Sequence, residues 1–173
     1  GLEAVGRFSV IMFIFSVLAM FPVNYTEMIM SNIIKLKSFK YVFRHAILIA
    51  GFIFILVVLV YFLLPFLVQV FMKQYINDIH FMKIILLAII PYSMRSVFYY
   101  YMHAIDKRVI LFIIDLITTI AYIIGLMFIL TKTNNLEYIL YLKIGFYTVT
   151  ILFTLFFALF YSKRIRKNHI NCS

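Results

Sequence analysis

Residues 81–125 read FMKIILLAIIPYSMRSVFYYYMHAIDKRVILFIIDLITTIAYIIG. Two apolar runs, about 81–103 and 109–130, flank the short basic turn Ala104-Ile105-Asp106-Lys107-Arg108. Each run is long enough to cross a bilayer as a helix, which takes about 20 apolar residues. Each also carries a charge that hydrocarbon opposes, Arg95 in the first run and Asp115 in the second. Counted from the turn at about 1.5 Å of helical rise per residue, Arg95 lies about 16 Å deep and Asp115 about 13 Å deep. Opposite charges at one depth predict a meeting inside the membrane. Ionisable residues there ordinarily face a partner or a watery cavity.

The rest of the chain agrees with a bilayer as solvent. Of its 173 residues 66% are hydrophobic and 13% charged, with a mean hydropathy of +1.09. A soluble domain of this size cannot bury so much apolar surface. Spanning runs recur at about 5–23, 45–71, 81–103, 109–130 and 138–161. They predict an all-α integral membrane protein, residues 1–173 forming one membrane domain with five transmembrane helices. The net charge of +10 raises the question of nucleic acid. The bases cluster in the loops between apolar runs, however, as cytoplasmic loops require, so the expected partner is the lipid bilayer and not nucleic acid.

Chemistry of the enzymatic kind has no foothold. There is no Gly-rich phosphate loop, nucleophile elbow or pair of carboxylates, so the chain is not read as an enzyme. The lone Cys172 has no partner for a disulfide, and four scattered histidines lack metal-site spacing. No cofactor and no metal are expected.

Span one is expected to stop at Phe21-Pro22, with Arg7 near its start. Residues 24–40 place Tyr25, Ile29, Ile33 and Leu36 at helical spacing beside Lys35, Lys37 and Lys40, which reads as an amphipathic cytoplasmic connector lying on the membrane surface. Span two is apolar on every side and should meet lipid or apolar neighbours. In span three Pro91 should kink the helix. Beyond it Tyr92, Arg95, Ser96, Tyr99 and His103 fall on one face. Span four repeats the stripe with Asp115, Thr118, Thr119, Tyr122 and Gly125, and span five with Lys143, Tyr147, Thr150 and Thr154. Lys143 lies near an end and is expected to snorkel to the headgroups. The basic tail 162–173 is expected to be disordered at its end.

Orientation follows from the bases near span ends. One side holds Lys35, Lys37, Lys40, Arg44, Lys107, Arg108, Lys163, Arg164, Arg166 and Lys167, and the other Lys73, Lys83, Lys132 and Lys143. The richer side should face the cytoplasm, which puts the C-terminus inside. Since Gly1 and not Met opens the chain, and no signal-peptide features surround the first run, the chain is expected to be the C-terminal piece of a longer protein.

The polar stripes admit two readings. Ser, Thr and Tyr can simply hydrogen-bond across helix contacts, and Arg95 with Asp115 can be a structural ion pair. Alternatively the stripes face a wet cavity.

The order of parts resembles that of the polysaccharide biosynthesis (O-antigen, or oligosaccharide-lipid) flippases of the multidrug/oligosaccharidyl-lipid/polysaccharide exporter superfamily. Phe21-Pro22-Val23 looks like that family's proline-ended eighth span. Phe71-Met72-Lys73-Gln74-Tyr75 looks like its segment after the ninth, and Ala104 to Arg108 like its turn after the tenth. The resemblance implies an incomplete C-terminal lobe of a twelve-helix exporter fold, whose missing N-terminal helices would be a partner. It also implies a place in the inner (cytoplasmic) membrane, and export of undecaprenyl-diphosphate-linked oligosaccharide for lipopolysaccharide or another surface polysaccharide. Basic residues on the cavity would meet the cargo, and the tentative substrate-binding set is Arg7, Arg95, Asp115, Tyr99, Thr119 and Tyr147. The alternatives are a drug/cation antiporter of the same superfamily, with Asp115 as the ion site, and a non-transporting membrane assembly subunit.

Overall fold

The structure, a computed structural model, describes residues 2–132 and 135–170. Its helices are α1 Leu2–Leu36, α2 Phe39–Phe71, α3 Ile79–Leu86, α4 Ile89–Ala104, α5 Arg108–Lys132 and α6 Leu136–Ile170, with a 3-10 stretch Lys73–Asp78 between α2 and α3. No strand occurs among the described residues. Five segments are long and apolar enough to cross a membrane: Gly6–Leu36, Phe39–Phe71, Lys73–Ala104, Arg108–Lys132 and Leu136–Arg164. That is the make-up of a multi-pass membrane protein.

The core is built around α4. It packs against α1, α2 and α6, and buries Val97, Phe98, Tyr101 and Met102. Contacts set the directions. Arg7 meets Asp78, Phe15 meets Tyr92 and Thr26 meets Ser96, so α1 runs parallel to the α3–α4 arm. His80 meets Glu137 and Tyr92 meets Tyr147, which makes α6 parallel to that arm as well. Helix α5 packs mainly on α6 and touches α4 at few places.

Helix α2 shows why uniform apolarity suits its place. Val42, Ala46, Ile49, Ile53, Val57, Leu64 and Val68 form one buried stripe. Phe52, Ile55, Phe62 and Phe66 point outward from the bundle. An all-apolar helix tolerates this only where the surroundings are apolar too. The Ser38 hydroxyl caps its start, accepting from the Tyr41 backbone N–H at 3.5 Å.

Two boundaries differ from the sequence-based expectation. Helix α1 does not stop at Phe21-Pro22. Its buried stripe Ile11, Phe15, Leu18, Pro22, Thr26, Ile29, Ile33 runs through the proline without a change of phase. Proline costs a membrane helix one hydrogen bond, which neighbours and hydroxyls can offset. The acceptor that Pro22 leaves without an N–H is the Leu18 carbonyl; the Thr26 hydroxyl donates to a different one, that of Pro22, at 2.6 Å. Residues 24–36 therefore continue α1, and Ile29 and Ile33 of their apolar face are buried against the bundle while Leu36 is exposed. The tail is also helical as far as Ile170. Residues 133–134 of the last loop, and 171–173 with Cys172, lie outside the described residues.

The kink expected from Pro91 is present. The helix breaks at Leu87 and Ala88, where N–H groups bond three residues back to Ile84 and Ile85. Pro91 has no N–H, and its ring would crowd the carbonyl four residues earlier, that of Leu87. The chain yields at that carbonyl, and Pro91 ends up in the first turn of α4, where a missing donor costs little.

Candidate functional site

A polar cavity of about 250 Å³ opens between α1, α4 and α5, lined by Val23, Tyr92, Arg95, Ser96, Tyr99, Tyr100 and Asp115. Arg95 and Asp115 bridge it. The Arg95 Nη2 donates to Asp115 Oδ1 at 2.6 Å, a short charge-assisted bond. Neither group is sealed away: the Arg95 side chain is 20% exposed and that of Asp115 35%. The Arg95 Nε, by contrast, is buried with no hydrogen-bond partner among the described residues. The guanidinium also lies over the Tyr99 ring, 5.5 Å from its centroid, and Tyr99 in turn packs on His103 at 4.6 Å.

The α1 side of the cavity is tied down by hydroxyls. Thr26, fully buried, contacts the Ser96 hydroxyl at 3.1 Å while bonding to Pro22. Ser96 in turn donates to the Ser93 carbonyl at 2.8 Å. Two hydroxyl protons thus serve three contacts, so the three are not all donated at once.

Behind the cavity stands an aromatic wall. Tyr147 of α6 stacks on Phe15 at 5.5 Å and meets Tyr92 edge-on at 5.3 Å. Lys143 turns toward this wall and not toward the headgroups. Its Nζ lies 5.2 Å from the Tyr122 ring centroid and 5.5 Å from that of Tyr147. Cation–π attraction from two rings, strengthened by partial burial, accounts for the inward course.

Of the six residues read from sequence, Arg95, Asp115 and Tyr99 line the cavity. Tyr147 is buried one layer behind it, reached through Tyr92. Thr119 points outward and is exposed, while its neighbour Thr118 is buried and donates to the Ile114 carbonyl at 2.8 Å. Arg7 stands near the start of α1, beside Asp78 at 3.8 Å. Thr150 and Thr154 likewise bond to carbonyls of their own helix, not across a helix contact.

Sequence reasoning passed over Val23, Tyr100 and Asp78. Asp78 was read as part of a polar turn, yet it is buried, and its Oδ1 has no hydrogen-bond partner among the described residues. The available signal was a lone acid in the turn at the level of Arg7. Among the described residues no group of three or more His, Cys, Asp or Glu side chains could hold a metal. The cavity offers one guanidinium, one carboxylate, a serine hydroxyl and three tyrosine rings. Comparison with protein-family models, curated proteins and solved structures finds no match for this chain.

Proposed function

We propose that this chain is part of a flippase that carries a lipid-linked oligosaccharide across the cytoplasmic membrane, as the resemblance of its order of parts implies. The observation that supports the reading is the Arg95–Asp115 bridge across a tyrosine-lined cavity within spanning helices. A cation there can receive the phosphate or an acidic sugar, and flat rings suit the C–H faces of sugars. The cavity is smaller than the roughly 300–1,000 Å³ of common small-molecule sites. In this reading the site is enlarged as two lobes rock about it.

The test is export in cells whose surface polysaccharide depends on this protein. Arg95→Gln, with expression raised until its membrane abundance matches wild type, should leave lipid-linked oligosaccharide on the inner leaflet and deplete surface polymer. Normal export by that variant would refute the reading. The antiporter alternative makes Asp115 the essential group and predicts ion-dependent efflux without sugar accumulation.

A further inference from the structure

We infer that the Arg95–Asp115 bridge is a latch. Asp115 is a built-in substitute for an oxyanion ligand, and such a ligand takes Arg95 by displacing it, freeing α5 from α4. The inference deepens the flippase reading and rests on it only for the choice of probe.

Four observations combine. First, α5 packs on α6 and has little hold on α4, so the ion pair is a principal tie across that gap. Second, the tie is one-pronged: a single bond from Nη2 to Oδ1 is recorded, although a guanidinium can present two parallel donors to an oxyanion. Third, the Arg95 Nε is a buried donor with no partner among the described residues, so the arrangement leaves part of the guanidinium unsatisfied. A buried orphan of this kind favours any rearrangement that gives it an acceptor. Fourth, both partners border open volume, so a competitor can reach the pair from the cavity.

A carboxylate with one bond is a weak rival for a phosphate or uronate that can use two. Once displaced, Asp115 faces open volume instead of a cation. The α4–α5 seam then loses its bridge, and the cavity can widen toward α5. The same groups therefore bind the ligand and enlarge the space that receives the rest of it. A purely structural pair would do neither.

The experiment uses the wild-type protein in nanodiscs and follows labelling of the Asp115 carboxyl by a hydrophobic carbodiimide, located by peptide mass spectrometry. Inorganic pyrophosphate and glucuronate are added in separate arms as the two sources of oxyanion. A latch predicts faster Asp115 labelling with at least one of them, and the arm that responds identifies the ligand chemistry. Arg95→Gln should label quickly with or without either anion. Protection of Asp115, or no change in both arms, would overturn the latch.

A second measurement is pyrophosphate affinity, in an Asp115→Asn variant checked for folding by monodisperse elution. Removing the competing charge-assisted bond should tighten binding roughly 10- to 100-fold. Unchanged or weaker binding would count against displacement. Neither readout involves a lipid-linked sugar. Accelerated labelling with normal export in Arg95→Gln would leave the latch standing and the flippase reading fallen.

Discussion

Asp115 is a carboxylate within a spanning helix, and the Arg95 guanidinium is its cation. Removing one partner of such a pair strands the other in poor solvent, at about 3–5 kcal/mol when the pair is buried. With Asp115 over a third exposed to the cavity, the lower end, about 3 kcal/mol, applies to Arg95→Gln or Asp115→Asn singly. The double variant should regain most of the lost membrane abundance. Under the flippase reading it should still not export. Additive losses of abundance across the cycle would show that the pair carries no coupling. At the α1–α4 contact, Thr26→Val keeps the shape and removes both bonds of the hydroxyl. Hydrogen bonds of this type in membrane bundles average about 0.6 kcal/mol, so the fall in unfolding free energy should be near that value. The Arg95–Asp115 meeting was legible from depth alone, because the tight turn fixes register between two arms. Thr119 was not. It is one residue from Thr118, about 100° round the helix, and only the rotation of α5 against α6 decides which hydroxyl turns inward.

The turn between α4 and α5 explains that register. Lys107 N–H bonds to the Met102 carbonyl at 2.9 Å, and Asp106 N–H to that of His103 at 3.1 Å, with Asp106 at φ 58°. This is a Schellman closure with aspartate in the left-handed position that glycine usually fills. Asp106→Gly removes the left-handed strain, worth up to about 1 kcal/mol for a residue of this kind. It gives up only an exposed contact with Arg108 at 4.0 Å, which contributes little. The variant should melt higher, and a lower melting temperature would show that the aspartate holds the turn by some other means. The prolines teach a related point. The sequence shows that Pro91 must break its helix, but the break falls where the displaced carbonyl lies, at Leu87. Pro22 was misleading as a stop signal, since a packed spanning helix tolerates a proline and the buried stripe of α1 keeps its phase through it.

For the whole molecule, the five apolar segments were plain in the sequence, because no other solvent accommodates them, but the lengths of the first and last were underestimated. Their packing was not: nothing in composition says that α4 is the centre or that α5 hangs from α6. Phe15, for example, belongs to a generic apolar run until Tyr92 and Tyr147 close around it. Orientation rests on the uneven bases and is open to direct test. A reporter after Ser173 should signal the cytoplasm and one in the 131–135 loop the outside, whereas the opposite result at both would invert the topology.

Helix α1 is unbroken, with Arg7 near one end and Lys35 near the other. The 28 steps between them span about 42 Å, close to the ~40–45 Å of a bilayer with its headgroup layers. In α6 the distance from Glu137 to Lys163 is about 39 Å by the same count. The two longest helices thus carry charged collars at one spacing, and the molecule is gauged to the membrane it occupies. Val23, at the cavity, lies about 24 Å from the first collar of α1 and about 18 Å from the second. Lipid headgroups bound at either rim therefore stop far short of Arg95. In a markedly thinner bilayer the apolar stretch between the collars would outreach the hydrocarbon, so the bundle must lean, and the cavity would tilt with it and come nearer both surfaces.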